Sequence, residues 1–320
     1  LSVAQNDGSA TSFRLECRSF FGVTDDLYTN GCFVMSTAHT ARLLITCADR
    51  PGIVQAVSSF LYHHGANITA LDQYATETQG GTYFMRVEFA LERLQDSRDV
   101  IMRAFGETVA TQYQMIWHMS MVSPAKKMGI LVSKYDHALL ELLWRWSRGL
   151  LPCEITHVVS NHEDLREEVE RFGVPFTVVK VTKENKPQAE AQINELMAGN
   201  DVLVLARYMQ ILSSDFVDRW PMKIINIHHS FLPAFVGADP YRQAYDKGVK
   251  LIGATAHYVT ADLDQGPIIE QAVERVNHRY SVADLRELGE DVERNVLTRA
   301  VRWHLEDRVI VHGNKTIVFE

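Results

Sequence analysis

Between residues 41 and 118 the apolar positions alternate between strand-like and helix-like spacing. Ala41–Cys47 alternates as a half-buried strand does, and Asp49-Arg50-Pro51-Gly52 is a turn. Ile53–His64 then carries Val54, Val57, Phe60 and Leu61 at helical spacing and ends at Gly65-Ala66-Asn67, residues that tolerate positive φ. Ile68–Tyr74 and Thr82–Phe89 read as strands on either side of Thr78-Gln79-Gly80-Gly81. Val100–Val109 reads as a second helix and Tyr113–His118 as a last strand. The order β-α-β-β-α-β predicts a ferredoxin-like domain.

Residues 119–127, with Ser123-Pro124 and two lysines, read as a linker to a second domain spanning 128–320. There the pattern becomes one of short apolar strands (Met128–Ser133, Glu154–Ser160, Phe176–Val179, Val202–Ala206, Ile224–His228) separated by helical segments (His137–Arg148, Glu163–Phe172, Gln188–Ala198, Asp215–Trp220). This alternation predicts an α/β fold: a doubly wound, mostly parallel sheet with helices on both faces. His257–Thr260 and Ile268–Val276 read as further strands. Val282–Glu306 reads as a helix, with Leu285, Leu288, Val292, Val296, Val301 and Leu305 near helical spacing. Residues 1–40 are polar and irregular, and are expected to form an N-terminal extension. Met35 is a candidate start of the folded protein; an ordered arm crossing a subunit interface is the alternative.

A chain of 320 residues can hold two domains, and 46% hydrophobic with 22% charged residues is ordinary for a globular protein. The net charge of −8 argues against a polyanion binder, so no nucleic-acid partner is expected. No apolar run approaches the ~18–20 residues of a membrane span, and no secretory signal is visible. Cys17, Cys32, Cys47 and Cys153 are scattered and form no CxxC pair, which favours neither a zinc site nor a disulfide framework. A cytoplasmic location is expected.

Ligands of open α/β sheets bind outside the carboxyl ends of the strands. Asn226 and His228 stand at such an end, and Asp264 lies in the loop Ala261–Pro267. An amide can donate to a carbonyl oxygen, an imidazole can stabilise the charge growing there, and a carboxylate can take a proton from the attacking group. Each residue alone has a blander reading. An isolated His is usually a satisfied core residue, Asn can close a strand end, and Asp beside Gly commonly shapes a turn. His229 should point to the opposite face and play a structural part. Asp49 and Gly52 can simply shape a helix start, and Trp144 and Trp146 read as packing.

Asn226-x-His228-x-Ser230-x-Leu232-Pro233 together with Leu263-Asp264-x-Gly266-Pro267 resembles the formyltransferase superfamily that uses 10-formyltetrahydrofolate. Leu205-Ala206-Arg207-Tyr208-Met209-Gln210-Ile211-Leu212 resembles the segment bordering its folate pocket, and His257-Tyr258-Val259-Thr260 the strand leading to its aspartate. Asp49-Arg50-Pro51-Gly52-Ile53-Val54 resembles the start of an ACT domain. The resemblance implies Asn226, His228 and Asp264 as catalytic residues. It implies Arg207, Met209, Gln210, Leu212, His257 and Val259 as folate-binding residues. It further implies an amino-acid effector, methionine or glycine, at an ACT seam involving Asp49 and Gly52, and a homo-oligomer (dimer or tetramer). No cofactor and no metal are expected, because the N-formyl donor is already activated. Where amine-transferring members carry a glycine-rich phosphate loop, this chain reads Leu131-Val-Ser-Lys-Tyr-Asp-His137, without glycine. Water is therefore the expected acceptor, giving tetrahydrofolate and formate. An amine-dependent formyltransferase and a folate-binding sensor without turnover are the alternatives; formate release without amine separates them.

Overall fold

The computed structural model describes residues 39–77, 80–233 and 240–320. Residues 1–38 of the N-terminal extension, with Cys17, Cys32 and Met35, and the segment 234–239 that follows Pro233, lie outside them.

The first sheet contains β1 (Thr40–Ala48), β2 (Asn67–Ala75), β3 (Thr82–Ala90) and β4 (Ile116–Met121), in the order β2-β3-β1-β4. Its three pairings are all antiparallel. Helices α1 (Ile53–His63) and α2 (Leu94–Phe105) bury Ile53, Val57, Leu61, Leu94, Ile101 and Phe105 with the β1 and β3 residues Leu43, Ile45, Val87 and Phe89. The β-α-β-β-α-β order is as expected, but α2 begins six residues earlier than its periodicity suggested (Leu94 against Val100). The run Gln95–Asp99 has no apolar residue, so its first turns are invisible to pattern reading; the fully buried Leu94 anchors them. A π-helical turn (Gly106–Ala110) and the short α3 (Thr111–Tyr113) continue it. Tyr113 is thus helical, not the start of the last strand. Gly52 precedes α1 at φ 94°, and an added Cβ would lie 2.9 Å from the Tyr113 hydroxyl, so both backbone and space require glycine there.

The second sheet has the order β11-β10-β9-β8-β5-β6-β7. Its strands are β5 (Lys126–Val132), β6 (Cys153–Ser160), β7 (Phe176–Val178), β8 (Val202–Ala206), β9 (Ile224–His228), β10 (Leu251–Tyr258) and β11 (Ile268–Arg275). The run from β9 to β7 is parallel, and β10 is antiparallel to both of its neighbours. Residues 119–121 and 126–127, read as linker, instead extend β4 and β5. Alternation separates the two faces. Val202, Val204 and Ala206 face α4 (His137–Ser147), α5 (Arg166–Arg171) and α9 (Val282–Leu305). Leu203 and Leu205 face α6 (Lys186–Leu196) and α7 (Ser214–Val217). The polar helix α8 (Pro240–Lys247) and the hairpin β12 (Val309–His312)–β13 (Lys315–Val318) escaped the sequence reading.

The free face of the first sheet meets the end of α9. The Asp307 carboxylate, 9% exposed, accepts from Ser120 Oγ at 2.6 Å and pairs with Lys126, and Arg42 lies 3.6 Å away. Arg86, 2% exposed, donates to the Asp307 carbonyl at 3.0 Å and to Glu88 at 2.8 Å. Removing one member strands the others in a region of poor solvation. Asp307→Ala should therefore cost about 3–5 kcal/mol, read as a lower urea midpoint at an unchanged slope.

Candidate active site

Strand pairing builds the centre of the site. β9 and β10 run antiparallel with Thr255 opposite His228 and His257 opposite Asn226. By the two-residue period these side chains share a face with Ile224, on the α6–α7 side. His229, one residue beyond β9, turns to the other side. Its ring centroid lies 6.2 Å from that of Tyr241, as the alternation predicted.

Asp264 reaches this face from the turn after β10, at φ 55°, a conformation that Asp tolerates better than most residues. Two backbone contacts dock the turn. Tyr258 N donates to the Pro267 carbonyl at 2.9 Å, and a Cβ on Gly266 would lie 1.8 Å from the Tyr258 carbonyl oxygen.

His228 Nδ1 lies 3.3 Å from Asp264 Oδ2, and His257 Nε2 lies 3.6 Å from Oδ1. Hydrogen bonds from His228 and then His257 hold the Asp264 carboxyl well below the usual carboxylate range, against the opposing effect of burial. Nδ1 of His257 sits 2.9 Å from the Tyr258 carbonyl, which can only accept, so this nitrogen carries the proton. Nε2 then faces both Asp264 Oδ1 and the Asn226 amide nitrogen, 3.3 Å away: it donates to the carboxylate in the imidazolium form and accepts one amide N–H in the neutral tautomer. The second N–H of that amide remains for a ligand. Among the described residues His228 Nε2 is buried without a hydrogen-bond partner, unusual for a buried polar atom and suited to a group that meets its partner on a substrate.

A cavity of about 590 Å³ opens on these residues, within the usual range for small-molecule sites. Asn226, His228, His257 and Asp264 line it, as do Arg207, Met209, Gln210, Leu212 and Val259. Met209 is 52% and Ile211 62% exposed, an apolar rim suited to an aromatic ring system. Arg207 differs from a plain ligand contact. Its Nη1 lies 3.5 Å from Glu293 Oε2, and its guanidinium stacks 4.6 Å from the Tyr135 ring centre. Glu293, fully buried, also takes hydrogen bonds from His137 at 2.8 Å and Tyr241 at 2.7 Å. Burial pushes the Glu293 carboxyl up, but the His137 hydrogen bond and the Arg207 charge outweigh it and hold it below its ordinary value. Sequence reasoning missed this cluster. The available signal was a glutamate on the buried stripe of α9, between Gly289 and Leu297. Asp49 and Gly52 lie in the turn between β1 and α1, outside this cavity lining.

The Formyl transferase family model matches residues 126–301 and the ACT domain model residues 41–105. A formyltetrahydrofolate deformylase of Bacillus subtilis is 54% identical over 280 residues, covering 87% of this chain and 93% of the relative. This chain belongs to the formyltetrahydrofolate deformylase family. Its Escherichia coli member is 42% identical over 277 residues, 85% of this chain and 95% of that one. The crystal structure of the deformylase from Pseudomonas syringae superposes with a TM-score of 0.83 at 45% identity, covering 88% of this chain and 95% of that one. The glycinamide ribonucleotide transformylase 1 of Symbiobacterium toebii shares the fold more distantly: TM-score 0.58 and 31% identity over 61% of this chain and 95% of that one.

Two outcomes follow from the docked turn. Gly266→Ala should push the Asp264 loop off β10 and lower kcat/KM by about 100-fold, the scale of a 1 Å misplacement, with a stopped assay as the readout. Because the Asp264 carboxyl is depressed in the folded state, its pairing stabilises the fold above the ordinary carboxylate pKa of about 4. That contribution declines as pH falls below this value. The stability advantage of the native protein over Asp264→Asn, measured by urea unfolding, should shrink from pH 6 toward pH 3, whereas a constant difference would contradict the pairing.

Proposed function

We propose that this protein hydrolyses 10-formyltetrahydrofolate to tetrahydrofolate and formate, with Asn226, His228 and Asp264 as the catalytic residues. The observation that carries this reading is the convergence of an amide, two imidazoles and one carboxylate on a cavity at the carboxyl end of β9, in a chain of the deformylase family.

The pterin lies among Met209, Gln210, Leu212 and Val259, which presents the N10-formyl group to the face shared by Asn226 and His228. Water attacks the formyl carbon. The free N–H of Asn226 and the Nε2–H of protonated His228 stabilise the oxyanion, while Asp264 balances the imidazolium charge. A depressed carboxylate is a weak base, but the proton it must accept is an acidic one. A water oxygen newly bonded to carbon still carries two protons, so even weakly basic Asp264 can remove one. That proton passes to N10, the C–N10 bond breaks, and formic acid leaves, giving its remaining proton to solvent to become formate. Atoms and charge balance without a cofactor.

His257 orients Asn226 and Asp264 in this scheme, and Arg207 acts from the cavity wall. The reading extends to a cytoplasmic homo-oligomer, dimer or tetramer, whose formate feeds purine synthesis. The ACT domain, with Asp49 and Gly52 at the start of α1, takes an amino acid such as methionine or glycine as effector. Kinetics unchanged across an amino-acid panel would remove that last part.

Purified protein given 10-formyltetrahydrofolate without any amine should release formate. Asp264→Asn should lower turnover by about 10²–10⁴-fold, the range for a lost general base, with little change in folate affinity. His228→Ala should cost about 10²–10³-fold, mainly in kcat. Near-native turnover in Asp264→Asn would remove Asp264 from its role.

A further inference from the structure

The scheme above leaves unused the polar cluster centred on Glu293. It stands on the α4–α9 side of the sheet, behind the strand that carries Asn226 and His228. Glu293 is completely buried and held by His137, Tyr241 and Arg207. Arg207 is 7% exposed, its Nε and Nη1 make no hydrogen bond among the described residues, and its backbone sits at φ 63°. Helix α9 is locally shaped to admit this cluster: a Cβ on Gly289 would fall 2.1 Å from the Tyr241 hydroxyl. Three members of the cluster's surroundings, Tyr135, His229 and Tyr241, line the cavity beside Arg207. The His229 ring lies 5.3 Å from that of His228, so this wall is immediately next to the reacting centre.

Stability is a poor explanation for such an arrangement. Buried ion pairs are often replaceable by apolar groups without loss, and a long side chain at positive φ is strained where glycine is not. What the arrangement does provide is bulk and positive charge on the side of the trio away from the apolar folate wall. A hydrolase needs that side to admit water and refuse amines, because an amine held beside the formyl carbon would take the group instead.

We propose that the Arg207–Glu293 pair, with Tyr135 and Tyr241, is the acceptor-specificity element of this enzyme: a wall that leaves room for water and excludes amine nucleophiles. This rests on the placement of Asn226, His228 and Asp264 at the formyl group. Glu293 anchors the guanidinium, Tyr135 covers it, and the cation opposes any ammonium group approaching the trio. Burial, followed by the Arg207 charge, pushes the His229 imidazole down to about 4. It is neutral at pH 7 and can hydrogen-bond the water that the wall admits. Were an amine admitted, the C–N10 bond would break, a new C–N bond would form on the amine, and one amine proton would go to N10.

The partition of the formyl group tests this. Hydroxylamine and glycinamide serve as probes, with formate and the N-formyl product measured from the same reaction mixture. The native protein should give formate almost exclusively. Arg207→Gly suits the positive φ and removes both bulk and charge, and Arg207→Gly/Glu293→Gln also removes the stranded carboxylate. In both, the N-formyl fraction should rise by about 10–200-fold, the discrimination that shape changes in a pocket achieve. Tyr135→Ala, at a position 41% exposed and so expected to fold, should raise it in the same direction. Equal use of hydroxylamine and water by the native protein would overturn the proposal. So would a fraction unchanged from native in Tyr135→Ala and in whichever Arg207 variants fold. Failure of the trio assignment would show elsewhere, as turnover surviving in Asp264→Asn.

Discussion

One carboxylate shared by two imidazoles holds this site together, and the sharing depends on the pairing of β9 with β10. Asn226 and His228 come from one strand and His257 from its antiparallel neighbour, all on one face. A slip of one residue would move His257 to the opposite side and leave Asp264 with a single partner. The turn carrying Asp264 is held against the same strand by the Tyr258 N–H, which donates to the Pro267 carbonyl, and it passes too close to the Tyr258 carbonyl, the acceptor of His257 Nδ1, for any residue but Gly266. Backbone geometry at one residue therefore sets both where the acid group sits and which way the Asn226 amide faces.

The two faces of the sheet divide the labour. The α6–α7 face contributes Leu205, Leu212 and Val259, an apolar wall packed into the core beneath it. The α4–α9 face contributes charge, sealed by the buried Glu293. Apolar surface gains from leaving water, while charges in the same setting must be paired. Placing the two on opposite faces gives one cavity an apolar wall and a charged one.

Helix α9 also joins the site to the first sheet. Its middle carries Glu293, and just beyond its end Asp307 is bound by Ser120, Lys126 and Arg42. His304, in its last turn, meets the Tyr258 hydroxyl at 2.8 Å, next in sequence to His257. The ACT-like sheet is thus connected by hydrogen-bonded contacts to the strand that bears the active site.

Much of this was legible in the chain. The switch from two-residue to helical spacing marked the two sheets and most of their helices, because burial of one face imposes a period that composition cannot hide. The motif residues Asn226, His228 and Asp264 stood out because their types and setting suit one chemistry, and the fold brings them to one cavity. The start of α2, helix α8 and the final hairpin were not legible; their segments are polar or short, and tertiary contacts hold them in place. Sequence alone determined which groups are available to react and which strand ends present them. Only the folded structure decided that Arg207 faces Glu293, that His257 orients Asn226, and that Asp264 lies between two rings. Those pairings join residues far apart in the chain, and their distances are set by packing across the sheet, which no local pattern encodes.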